Sequence, residues 1–157
     1  MVTTELAALF ARDIARLIQE LQAFPDTAAV WKTAPGVTNS AGTLALHLEG
    51  NLREYVGRQL GALPYTRQRP LEFSARDVER TDLISRLEAV RDTIPAVISR
   101  LSASQLEACY PEVIHGKSIT TRQFLIHLEA HFNYHLGQVD YLRRFVTGHG
   151  PIDLATL

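Results

Sequence analysis

From Thr121 to Val146 apolar residues return every three or four positions, Phe124, Leu128, Val139, Leu142 and Val146 among them, and no proline interrupts the run. That is the stripe of an amphipathic helix. Thr120 and Gln123 have the spacing of a capping box at its start, and Gly148 supplies a stop at its end. At 1.5 Å per residue the rod is roughly 39 Å long, and a lone rod cannot bury a stripe of that length. The rest of the chain must supply partners to match.

Three further stretches do so. Leu6, Leu9, Phe10, Ile14, Leu17, Ile18 and Leu21 mark a first helix from Glu5 to about Ala23, with Thr3 or Thr4 to cap it and Pro25 to stop it. Ser40 caps a second, about Ala41 to Leu60, whose apolar side is Ala45, Leu48, Leu52, Val56 and Leu60. A third, capped by Thr81, runs from about Asp82 to Leu101 with Leu83, Ile84, Leu87, Val90, Ile94, Val97, Ile98 and Leu101 inward. Pro95, which has no amide proton, predicts a kink in it. Ser102 and Gln105 fit a capping box for one extra turn. Residues 61–80 carry Pro64, Pro70 and alternating charges without helical period, so they read as a long loop, with at most a short turn begun by Ser74 and Asp77. No stretch alternates as a strand does, and no repeat appears. The expectation is an all-α four-helix bundle with a long loop between helices 2 and 3, one domain over residues 1–157.

Composition narrows the function. Hydrophobic residues at 46% and charged residues at 21% of 157 are ordinary globular values, and 16 basic against 17 acidic side chains leave a net charge of -1. A chain with no excess of positive charge has no field to attract phosphate backbones, which argues against nucleic acid as a partner. No run approaches the roughly 18 apolar residues of a membrane span, and Met1-Val-Thr-Thr-Glu5 lacks a secretory pattern. The single cysteine, Cys109, excludes an internal disulfide and reads as a small buried hydrophobe. Together these make the cytoplasm the expected location.

The chemistry concentrates in histidine. Of six histidines, three stand at four-residue steps on the last helix, His127, His131 and His135, where random placement gives roughly 0.2 such pairs per chain. Residues four apart share a helix face with Cβ atoms about 5 to 6 Å apart, so two imidazoles can meet one ion. His131 and His135 project into the apolar stripe, and His127 drifts to its margin. A third ligand must come from elsewhere. His47 heads a polar stripe on the second helix, His47-Asn51-Glu54-Arg58, and on its own reads as a surface residue. If that stripe faces the last helix across a cleft, three histidines close on one ion and leave a position open. The spacing equally allows two packed histidines without an ion.

Rival metal patterns fail. The zinc-protease motif needs Glu immediately after its first His, where Leu128 stands, and Glu112-Val-Ile-His115 occurs once, in an irregular segment, where di-iron bundles need the pattern twice. Asn51, Glu54 and Tyr134 are candidates to orient a ligand, although an exposed helix face explains the first two equally well. Arg67, Arg69 and Glu72 read first as an ion-paired clamp on the long loop, and substrate contact is the lesser expectation. His115 and His149 read as loop histidines.

Leu44-Ala-Leu-His47-Leu-Glu-Gly-Asn51-Leu on one helix and His131-Phe-Asn-Tyr-His135-Leu-Gly-Gln138-Val on another resemble the DinB/YfiT-like superfamily in order and separation. Arg67-Gln-Arg69-Pro-Leu-Glu72-Phe73 is similar to an element of one bacterial DinB-like branch without an assigned activity. The resemblance implies a four-helix bundle with a divalent metal, zinc or nickel, held by His47, His131 and His135. It further implies a homodimer and a small-molecule substrate, a low-molecular-weight thiol such as bacillithiol in some relatives, and mycothiol-dependent isomerisation in others. The expected function is thiol-dependent group transfer, with metal-dependent hydrolysis as another use of such a site. A non-catalytic metal-binding bundle of the stress response is the alternative.

Overall fold

The computed structural model describes residues 1–114 and 116–153, so His115 lies outside the described residues. The four long helices are present. α1 spans Val2–Gln22, α3 spans Ala41–Leu52, α6 spans Arg80–Ser99 and α8 spans Thr121–Thr147. α3 runs on through a π-helical segment, Arg53–Arg58, into a last turn, α4 (Gln59–Gly61). Both α1 and α3 pack against α6 and α8, which sets α1 and α3 on one diagonal of the bundle. The chain is all-α, and among the described residues no helix is long and apolar enough to cross a membrane.

The local rules account for most boundaries. Ser40 Oγ accepts from Thr43 N at 3.1 Å, Thr120 Oγ1 from Gln123 N at 3.1 Å, and Gly148 closes α8 in the left-handed region at φ 71°. The Ser102–Gln105 capping box is formed at both ends and opens α7 (Ala103–Glu107). Pro95 sits inside α6 and the helix continues to Ser99.

Four local features differ from what the sequence pattern alone marks. α1 starts at Val2, with Thr3 buried inside its first turn and neither Thr3 nor Thr4 as cap. α6 is preceded by Glu79, and Thr81 lies within it. A short helix, α2 (Thr27–Val30), capped by Asp26, breaks the loop after α1. The long loop contains α5 (Arg69–Ser74), in which Ser74 is the last residue and begins nothing. Its Pro70 explains the start, because proline at the first helical positions lacks only a donor that would go unused.

Cys109 is exposed, against expectation. It stands in an extended bridge to Thr120, and Tyr110 beside it fills the core at 5% exposure. Neighbours in extended backbone point to opposite sides, so burying Tyr110 turns Cys109 outward.

Several polar groups are buried where the hydrophobic pattern showed none. Asp13 of α1 accepts from Arg12 Nε at 2.7 Å, Arg16 Nη1 at 2.8 Å and Asn133 Nδ2 of α8 at 2.7 Å. Asn133 Nδ2 also donates to Glu129 Oε1 at 2.9 Å. Burial, with Asp13 beside it, pushes the Glu129 carboxyl upward. The cluster ties α1 to the turn of α8 that carries His131 and His135.

Candidate metal centre

α3 is buried on every side, all twelve residues from Ala41 to Leu52, because α6, α8 and α5 cover it. His47 is therefore 7% exposed, and its reading as a surface residue is corrected. The start of that polar stripe, His47 and Asn51, is covered by α5 and α8, whereas Arg58 at its end is exposed. His131 and His135 of α8 are half-buried opposite His47. One ring nitrogen from each of the three lies within 4.8 Å of the others, close enough to bind one metal ion. The rings meet edge to face, His47 to His135 at 5.4 Å and 90°, His131 to His135 at 4.6 Å and 88°. His127 is exposed, its ring 6.4 Å from that of His131 and stacked on Phe124. His149 is exposed beyond the end of α8.

Hydrogen bonds set the tautomers. His47 Nδ1 donates to Glu72 Oε2 at 3.0 Å, and His135 Nδ1 donates to Gln138 Oε1 at 2.7 Å. A neutral imidazole that donates from Nδ1 carries a bare lone pair on Nε2. His47 Nε2 faces His131 Nε2 at 3.3 Å, and His131 Nδ1 is buried without a partner among the described residues. Bare acceptors that converge in a half-buried place are costly unless a proton or a cation lies among them. Burial, with the other histidines adding repulsion, pushes His131 down to about 4. Burial also lowers His135, although its bond to Gln138 works the other way. Imidazole nitrogens of this kind fit a divalent ion such as zinc or nickel.

Glu72 is the residue that spacing alone could not assign. Arg67 grips its carboxylate with two bonds, Nε to Oε1 at 2.6 Å and Nη2 to Oε2 at 2.8 Å, so the expected loop clamp is present. The same carboxylate holds His47. Burial alone would raise Glu72, but the bonds from His47 and Arg67 outweigh it and leave the carboxyl below the usual range. Gly50 makes this possible, since a Cβ there would stand 2.9 Å from the Glu72 carboxyl carbon. Phe73, also unforeseen, lays its ring 5.0 Å from that of His47. Replacing Glu72 by glutamine removes the acceptor charge behind His47; metal affinity should fall roughly 10- to 100-fold, the usual effect of losing such a partner. Competition with a chromogenic chelator measures it, and an unchanged affinity would separate Glu72 from the site.

The other candidates divide. Glu54 is buried, and its Oε1 accepts from Arg58 Nε at 2.8 Å, so its carboxylate is already used within the helix. Tyr134 is 67% exposed, with its ring 5.3 Å from that of His135. Arg69 lies over the Phe73 ring at 5.1 Å. Asn51 is buried and lines a cleft of about 280 Å³ that reaches His47 and His131. Gln138, the partner of His135, lines a larger apolar cleft of about 530 Å³ with Tyr141 and Phe145.

A helical bundle with three histidines gathered at the edge of an open cleft is the class of protein that the geometry defines. The chain belongs to the mycothiol-S-transferase family, whose model matches residues 5–148, and that family lies within the DinB/YfiT-like superfamily. No curated protein matches the sequence.

Proposed function

We propose that His47, His131 and His135 hold one divalent ion, zinc or nickel, and that the protein transfers a low-molecular-weight thiol to a small electrophilic acceptor. The convergence of three imidazoles within 4.8 Å carries this reading, and the family match supports the chemistry. When bound, such an ion supplies a Lewis acid that shifts a thiol toward its nucleophilic thiolate at neutral pH. Glu72 and Gln138 orient the rings, and Arg67 keeps Glu72 charged. The cleft at His47 and His131 gives a substrate access, which favours transfer over a purely structural ion enclosed by packing. In the transfer itself the sulfur electron pair forms the new S–C bond, the acceptor's leaving group departs with its bonding pair, and the thiol proton goes to solvent.

Protein purified without a polyhistidine tag should hold close to one equivalent of zinc or nickel by elemental analysis. It should also form an S-conjugate from monochlorobimane and mycothiol or bacillithiol, followed by fluorescence. A chelator should remove metal and conjugation together. Metal-loaded protein that accelerates conjugation with neither thiol would overturn the transferase reading and leave the alternative of a non-catalytic metal-binding bundle.

A further inference from the structure

The cleft beside the three histidines has a chemical bias that its metal-binding side chains do not explain. Two arginines reach it, Arg67 and Arg69, and among the described residues no aspartate or glutamate lines it. The charge of Arg67 is matched by Glu72 directly behind. Arg69 is exposed, rests on the Phe73 ring and makes no ion pair among the described residues. A guanidinium on an aromatic face keeps its in-plane donors free for a planar anion.

A second, independent observation lies deeper. Asn51, one turn beyond His47 on α3, is 8% exposed, lines the same cleft, and its side-chain amide has no hydrogen-bond partner among the described residues. An amide on the wall of a cleft with no protein partner leaves its donors and acceptor to water or to a polar ligand group. The cleft, at about 280 Å³, falls at the lower end of ligand sites and suits a molecule of modest size.

We infer that this cleft is a carboxylate subsite, in which Arg69 pairs with, and the Asn51 amide donates to, a carboxylate carried by the small-molecule thiol or by its acceptor. The inference deepens the transferase reading and rests on it only for the thiol. Arg69 and Asn51 act as specificity-determining residues: a neutral analogue leaves the Asn51 amide half-satisfied and Arg69 without a partner.

The test uses matched probes on the metal-loaded protein, 3-mercaptopropionate against the neutral 3-mercaptopropionamide, with dissociation constants from calorimetry. The acid should bind about 10-fold more tightly than the amide, the usual margin of a charge-assisted hydrogen bond over a neutral one. Arg69→Gln, a change at an exposed position, should bring the two within about twofold, and Asn51→Asp should reverse the preference by setting one carboxylate against another. Succinate against succinamide, read by thermal shift on metal-free protein, gives a second arm that needs neither metal nor thiol. Preference for the acid in the thiol pair places the carboxylate on the thiol, and preference in the succinate pair alone places it on the acceptor. Equal binding of acid and amide in both arms, or a preference that survives Arg69→Gln, overturns the subsite. Failure of the metal-loaded protein to bind any thiol counts against the transferase reading alone, because the succinate arm still reports on Arg69 and Asn51.

Discussion

Alanine at His47, His131 or His135 should each strip the protein of its metal, whereas alanine at His127 should leave the content unchanged. Apparent binding energies of about 10–16 kcal/mol for four-ligand zinc sites place a single ligand at about 3 kcal/mol, a loss on the order of 100-fold in affinity. With only three histidines in the cluster, losing one leaves two ring nitrogens, too few to retain an ion through dialysis. The fold should survive. Asp13, Asn133 and the apolar core are untouched by these changes, and Glu72 keeps both bonds from Arg67 when His47 is gone. His127 serves as the internal control because it shares the four-residue spacing but is exposed, with its ring turned onto Phe124. Elemental analysis of the four variants, beside circular dichroism to check folding, makes the measurement. Wild-type stoichiometry in the three cluster variants would refute the site, and loss at His127 would show that it, too, is a ligand.

Replacing Arg143 by methionine should cost about 3 kcal/mol of stability, the low end of the roughly 3–5 kcal/mol for breaking a buried ion pair. Arg143 is 2% exposed on α8 and its Nε bonds the carboxylate of Glu20, which α1 buries completely. Its Nη1 and Nη2 also reach the Gly150 carbonyl, each at 3.1 Å, and so hold the segment after α8. Methionine conserves much of the volume, so the loss reports on the stranded carboxylate and carbonyl more than on a cavity. Burial already raises the Glu20 carboxyl more than Arg143 lowers it. A carboxyl so placed takes up a proton readily once its partner is gone, which is why the lower figure is expected. For a chain of this length about 3 kcal/mol corresponds to roughly 6–12 °C in Tm. Changing Glu20 to leucine in the same chain should restore most of it, since two apolar side chains need no partners. A single variant that melts within about 2 °C of the parent, or a double variant no better than the single, would refute this account.

The four long helices were legible from periodicity, and so was the stripe position of His131 and His135, because spacing along one helix is a property of the chain alone. Ser40, Ser102, Thr120 and Gly148 acted at the helix ends as their side chains and backbone freedom require, since capping is settled within a few residues. The family resemblance, carried by the blocks around His47 and His131, pointed to the trio that the fold gathers. Burial was another matter. The stripe begun by His47 and Asn51 looks solvent-facing when α3 is taken by itself, yet α5 and α8 cover it, and no residue of α3 records that they will. Glu72 reaches His47 from 25 positions away, and Arg143 reaches Glu20 across 123. A helix's own pattern says which faces are apolar, but the number of faces that lose contact with water depends on neighbours distant in the chain. Long-range packing therefore gave these polar groups their partners, and it turned a row of four-spaced histidines into a cluster capable of chemistry.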